Sequence, residues 1–271
     1  MRAFAAALSP AVLAALLAWG AGCSPRAASG RRLVDLSHPF DASTLYWPTE
    51  EGFVLERGFA GITEQGYYYA ANRFRAPEHG GTHVDAPLHF AEGHPSVDAI
   101  PLERLIGPAV VVDVSPACAA DRDHAIGIAD LAADEAAHGR IPDGSIVLLC
   151  TGWETRWPDR ERYLGTDERG AAAVAKLHFP GLGSDAARWL VEERGARAVG
   201  LDTASIDPGV STRFETHRLL FARDVPAFEN LASLDQLPAR GFEVVALPMK
   251  IAGGSGGPLR AVAILPADAR D

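Results

Sequence analysis

Glu78-His79-Gly80-Gly81-Thr82-His83-Val84-Asp85-Ala86-Pro87-Leu88-His89-Phe90 is the stretch on which the rest of this chain turns. The sequence has 9 histidines, and His79, His83, His89 and His94 fall within sixteen positions. Neutral imidazoles and a carboxylate, brought close by a turn-rich backbone, are what a divalent metal needs. His79 and His83 would share a face if the segment were helical, but Gly80, Gly81 and Pro87 oppose a helix. An irregular turn entering a short extended piece fits better. His83 and Asp85, two apart, then point to one side. The glycines let the backbone fold tightly enough for His79 to join them. Pro87 redirects the chain so that His89 can return to the same place. His79, His83 and Asp85 make a three-ligand set that leaves positions open for water and substrate.

Outward from this stretch, short apolar, β-branched runs predict strands at Leu33–Leu36, Tyr67–Arg73, Ala109–Val114, Ile146–Cys150, Ala198–Leu201, Phe242–Leu247 and Ala261–Leu265. Helical spacing predicts a helix over Ile128–His138, stopped by Gly139. Ser184 is placed to cap a second over Asp185–Arg194, with Ala187, Leu190 and Val191 inward and Gly195 closing it. A third is predicted over Asn230–Leu237, ended by Pro238. Strands and helices interleave without strict βαβ regularity. The pattern predicts one α/β domain with a mixed β-sheet, flanking helices and long active-site loops.

At 271 residues, 48% apolar and 22% charged, the chain can build a sizeable core. Its net charge of -10 argues against nucleic acid or an anionic membrane as a main partner, since both reward Lys/Arg clusters. Residues 1–23 stand apart: Arg2, an apolar run from Ala11 to Trp19, then Gly20-Ala21-Gly22-Cys23. They predict a signal peptide, too short to span a bilayer. Cys23 resembles the lipidated cysteine of bacterial lipoproteins, so the expected location is extracytoplasmic, periplasmic or lipid-anchored. Residues 24–31 read as a linker and 32–271 as the catalytic domain. Cys118 and Cys150 do not form a disulfide framework. Cys150 ends an apolar run and is expected as a packed thiol.

His79 to Phe90 matches the H-x-G-T-H-x-D-x-P-x-H-F signature of the bacterial cyclase family, and the chain resembles that family over nearly its whole predicted mature length. The resemblance takes in Leu36-Ser37-His38, Tyr46-Trp47-Pro48, Asp202 to Asp207, Pro226 to Leu231 and Gly253 to Arg260. It implies a cyclase-family fold of the swivelling β/β/α kind and a metal-dependent hydrolase. His79, His83 and Asp85 resemble the family's first metal set, with Asp85 able to bridge a second ion. His89 resembles its catalytic acid/base. His217 and Glu229, twelve apart, resemble the later histidine and glutamate of the site. In their own surroundings those two say less. Glu229 precedes a helical pattern and could simply favour its N-terminus. His217 could be a satisfied core histidine. His38, Asp202, Ser205 and Asp207 carry a weaker signal still.

A bound metal acidifies water and polarises a carbonyl. His89 can accept the proton and return it to a leaving nitrogen. Together these hydrolyse an aryl-linked amide with no covalent intermediate. The rival nucleophile is Ser255, since Gly253-Gly254-Ser255-Gly256-Gly257 formally satisfies G-x-S-x-G. No histidine follows His217, and a strand-like run rather than a helix follows the glycines, so a serine hydrolase is not expected. The glycines are expected to let a loop approach the site or a neighbouring subunit closely.

Trp47 is placed to stack on an aromatic substrate or to fill a core. The long run between Trp47 and His79 and the Glu78-His79-Gly80-Gly81 form resemble isatin hydrolases, which favours a cyclic amide. The alternatives are an arylformamidase acting on N-formylkynurenine and a non-catalytic extracytoplasmic metal- or ligand-binding lipoprotein. The presence of His89 beyond the ligands favours an enzyme. Zinc or manganese suits the donors, one or two ions per subunit. By resemblance the chain is expected as a homodimer or larger homo-oligomer.

Overall fold

A computed structural model describes residues 30–267 of the chain. The signal peptide predicted over 1–23, Cys23 and most of the 24–31 linker lie outside the described residues. Among those residues, the strands in chain order are β1 Arg32–Asp35, β2 Val54–Ile62, β3 Tyr68–Arg75, β4 His83–Asp85, β5 Ile106–Asp113, β6 Ala125–Ile126, β7 Ile146–Cys150, β8 Gly181–Leu182, β9 Ala198–Leu201, β10 Ala227–Glu229, β11 Phe242–Pro248 and β12 Gly256–Leu265.

The most apolar runs sit side by side as the parallel strands β5, β7 and β9, with Val110 opposite Val147 and Leu148 opposite Gly200. All of β7 and β9 is buried, as expected for parallel strands covered on both faces. Alternation sorts their side chains. Ile146, Leu148 and Cys150 point to a core shared with Val84, Phe228 and Ala263. Val147, Leu149 and Val199 point to a second core under the helices Ile128–His138 and Ser184–Arg194, against Leu131 and Leu190.

The main sheet runs β1-β12-β11-β5-β7-β9-β10-β4, and β4 also pairs with β12. The sheet therefore curls into a barrel-like ring, and the three-residue strand β4 closes it. On one side Asp85, Val84 and His83 face Ala227, Phe228 and Glu229 of β10. On the other they face Gly256, Gly257 and Pro258 of β12. The strands β2 and β3 form a separate hairpin.

The α/β domain with a mixed sheet stands as the sequence predicts, and the strands at Ile146–Cys150 and Ala198–Leu201 keep their bounds. Ser184 is corrected: it is the first helical residue, and Gly183 holds the cap position with no side-chain bond. The helix expected over Asn230–Leu237 is also corrected, because only a 3-10 turn forms, at Leu234–Gln236. The N–H groups of Asn230, Leu231 and Ala232 go to carbonyls of Thr203, Leu201 and Leu36. That backbone is committed to neighbouring segments, and Asn230 and Ser233 adopt φ of 53° and 56°. Glu229 thus precedes no helix. The strand β2 had no sequence signal because nearly all of its face is exposed and no period-two pattern is needed.

Leu148 is fully buried at the centre of the sheet. Leu148→Ala should lower unfolding free energy by about 2–5 kcal/mol. Guanidinium denaturation should show this as a lower midpoint with an unchanged slope.

Candidate metal centre

The strand β4 turns His83 and Asp85 to one side, while Val84 between them enters the core. Ladder register sets Glu229 directly opposite His83 on β10. His79 reaches the same place because Gly80 and Gly81 take φ of 149° and 56°. A Cβ on Gly80 would lie 2.1 Å from the Tyr46 ring, so only glycine fits that turn. Past Ala86, Pro87–His89 forms a single 3-10 turn that brings His89 back. Its ring stacks on His79 with centroids 3.8 Å apart.

His217 arrives on a helix the sequence did not announce, Glu215–Phe221. Asp207 fixes it. Its carboxylate accepts the N–H groups of Thr216 and His217 at 3.0 and 3.1 Å and the His217 Nδ1–H at 2.6 Å.

The outer imidazole nitrogens of His79, His83 and His217 each have a hydrogen-bond partner. His217 uses Asp207, and His83 Nδ1 lies 2.9 Å from the Gly81 carbonyl. His79 Nε2 lies 2.9 Å from Ser255 Oγ. The inner nitrogens converge on two carboxylates. His79 Nδ1 is 2.7 Å from Asp85 Oδ1, and His217 Nε2 is 3.1 Å from Asp85 Oδ2. His83 Nε2 is 3.1 Å from Asp85 and 3.5 Å from Glu229, yet it is buried and off alignment for any hydrogen bond. A neutral imidazole whose outer nitrogen carries the proton presents a lone pair inward. Lone pairs aimed at carboxylates demand a cation between them. His79, His83, Asp85, His217 and Glu229 therefore fit a divalent ion, and Asp85 belongs to both possible ligand groups, one with His79 and His89, the other with His83 and Glu229.

The electrostatics express the same demand. Burial by itself would lower His217, but the hydrogen bonds it donates to Asp207, Asp85 and Glu229 hold it well above its ordinary value. Burial opposes His83 likewise, and Asp85 and Glu229 raise it. Against its own burial, Asp85 is held well below the carboxylate range by His79, His217 and His83. Glu229 is pushed up, by burial and then by Asp85. Burial pushes His89 down to about 4, which leaves its imidazole neutral at physiological pH.

A cavity of about 480 Å³ opens over the cluster. Trp47, Phe90 and Phe214 wall it, Glu50 and Glu78 add carboxylates, and among the described residues its lining includes no Lys or Arg. Trp47 thus lies on the cavity wall, 6.3 Å from Phe214 between ring centroids. Ser205 also lines it, whereas His38 stacks on Trp157 away from it. Asp202 braces the loop after β7 by accepting the N–H groups of Thr151 and Trp153. Cys118 and Cys150 are buried free thiols. The Gly253–Gly257 segment does approach the site closely, and its last two residues already begin β12 instead of a helix. Sequence reasoning missed how Asp207 holds His217 and how Glu78 and Ser255 meet His79. No local spacing signals these partnerships, which join separate loops.

The family model described as "Putative cyclase" matches residues 34–208. An isatin hydrolase of Roseibium aggregatum is 35% identical over 209 residues, 74% of this chain and 77% of the relative. A kynurenine formamidase of Salinibacter ruber is 31% identical over 230 residues, 85% of this chain and 96% of the relative. Among solved structures, isatin hydrolase A from Ralstonia solanacearum is similar with a TM-score of 0.78 at 34% identity, over 96% of this chain and 100% of that one.

Two outcomes follow from the centre's chemistry. Asp207→Asn should weaken divalent-metal binding about 10- to 100-fold, read by calorimetry, because His217 loses its charged orienting partner. The raised values of His83 and His217 stabilise the metal-free fold fully below the unfolded value of about 6.5, and that contribution is lost as pH rises through the folded values. The melting temperature of stripped protein should therefore fall on going alkaline, and bound metal, which replaces those protons, should remove most of the fall.

Proposed function

This chain belongs to the cyclase family, and on that premise we propose that it is a metal-dependent hydrolase that opens a cyclic, aryl-linked amide. The supporting observation is the convergence of three inner imidazole nitrogens on Asp85 and Glu229 beneath an aromatic cavity that also holds His89. His79, His83, Asp85, His217 and Glu229 would hold zinc or manganese, as one ion or two. Such an ion supplies Lewis acidity, to the attacked carbonyl and to the attacking water.

The chain's own residues do the rest. Trp47, Phe90 and Phe214 hold an aryl ring and exclude water. His89, kept neutral by burial, takes the proton of the attacking water and gives it to the nitrogen as the C–N bond breaks. The single ring-opened product carries an arylamine and a carboxylate, whose proton passes to solvent. Glu50 and Glu78, unaccompanied by Lys or Arg in the lining, favour a neutral substrate and release of an anionic product. N-formylkynurenine brings its own carboxylate, and among the described lining residues no Lys or Arg would meet it, so the arylformamidase reading ranks second. A homodimer or larger assembly belongs to the proposal, since the β2–β3 hairpin exposes Leu55, Phe59, Ile62, Tyr68, Tyr69 and Phe74. So does an extracytoplasmic location, from the signal-like residues 1–23.

His89→Ala should keep its metal while turnover falls about 10²- to 10⁴-fold. An ultraviolet assay of isatin against N-formylkynurenine should show higher kcat/KM for isatin. The opposite preference would make the protein a formamidase. Tight metal binding without turnover of either compound would favour the metal-binding lipoprotein.

A further inference from the structure

We propose that Glu78 and Ser255 form a relay that fixes the tautomer of His79 and aims its Nδ1 into the centre. The proposal rests on the metal-dependent reading above.

The proton positions follow from the partners. Ser255 Oγ lies 2.7 Å from Glu78 Oε2 and 2.9 Å from His79 Nε2. A carboxylate only accepts, so the hydroxyl proton goes to Glu78. The hydroxyl oxygen then has only lone pairs to offer His79, so Nε2 carries the imidazole proton. Nδ1 is left unprotonated, with its lone pair directed into the centre 2.7 Å from Asp85 Oδ1, where an ion would take it. The Ser255 N–H pins the same Glu78 oxygen at 2.9 Å. This geometry also removes Ser255 from service as a nucleophile, because its proton is directed away from the imidazole beside it.

The surrounding loop is shaped for the contact. A Cβ on Gly254 would lie 2.7 Å from Glu78 Oε1. A Cβ on Gly256 would lie 2.5 Å from His79 Cε1 and 2.7 Å from the backbone oxygen of Val84. Side chains at either position would push the relay apart. Gly253, at φ 75°, turns the loop, and its N–H is held by Asp98 Oδ1 at 2.9 Å. The glycine run therefore has a structural purpose on both flanks of Ser255. His83 and His217 bond their acceptors directly. His79 reaches its carboxylate through a hydroxyl, so losing either relay member should release it.

Glu78 and Ser255 are positioning residues, and the test reads the metal and the imidazole as well as turnover. Zinc titration of the full chain, with ¹⁵N NMR of the histidine rings, is applied to wild type, Ser255→Ala, Glu78→Ala, the double variant and Ser255→Thr. In zinc-loaded wild type His79 should carry its proton on Nε2. Ser255→Ala and Glu78→Ala should each weaken zinc binding about 10- to 100-fold. The double variant should be no weaker than the worse single one, as for members of one network. Ser255→Thr, which keeps the hydroxyl, should restore binding. Additive losses, unchanged affinity in both single variants, or a His79 proton on Nδ1 would overturn the relay. Failure of wild type itself to bind zinc or manganese would instead overturn the metal-dependent reading and the relay with it. Should Ser255→Ala not fold, Glu78→Ala decides the matter by the same affinity and NMR readouts.

Discussion

A carboxylate buried to 1% exposure needs compensation, and Asp85 finds it in three imidazoles at 2.7 to 3.1 Å. Removing a charge from water costs several kcal/mol, so partners must surround it. Here they come from two parts of the chain. His79 and His83 belong to the same segment, His217 to a helix 132 positions away. Glu229 stands opposite His83 and adds a second negative group that raises the need for positive charge. Protons can meet that need, as the raised values of His83 and His217 show. A divalent ion meets it with fewer groups and adds Lewis acidity. The arrangement that the fold must stabilise is thus the same one the chemistry uses.

The ring of strands makes the arrangement rigid. Because β4 closes the barrel, its register on β10 and β12 sets the separation between His83, Asp85 and Glu229. A one-residue slip would send Val84 toward the site and bury His83 and Asp85 in the apolar core. Phe228 and Val84, fully buried on the core side, oppose such a slip. Loop geometry then adds His79, His89 and the Ser255 contact, each through a turn that glycine or proline permits. Sites built on sheet elements hold their geometry more tightly than sites built on loops alone.

Legibility followed distance along the chain. His79, His83, Asp85 and His89 lie within eleven positions, and their juxtaposition depends on local backbone preferences of glycine, proline and extended chain. The structure makes the same turn, strand and return. His217 and Glu229 could be proposed only through resemblance, because strand register and helix docking bring them in. Asp207 reaches His217 ten positions on, across a loop and into the helix Glu215–Phe221. Ser255 and Glu78 are 177 apart and meet only because β12 borders β4. The apolar strands Ile146–Cys150 and Ala198–Leu201 were visible since complete burial demands apolar runs. The helix expected at Asn230–Leu237 failed where tertiary hydrogen bonding outweighed local spacing.

The most direct test of the central account is reconstitution. Protein stripped by a chelator is titrated with zinc or manganese while bound metal and isatin ring opening are followed together. The account predicts negligible turnover without metal and activity that rises in proportion to metal bound at the Asp85 cluster. Full turnover by demonstrably metal-free protein would contradict it.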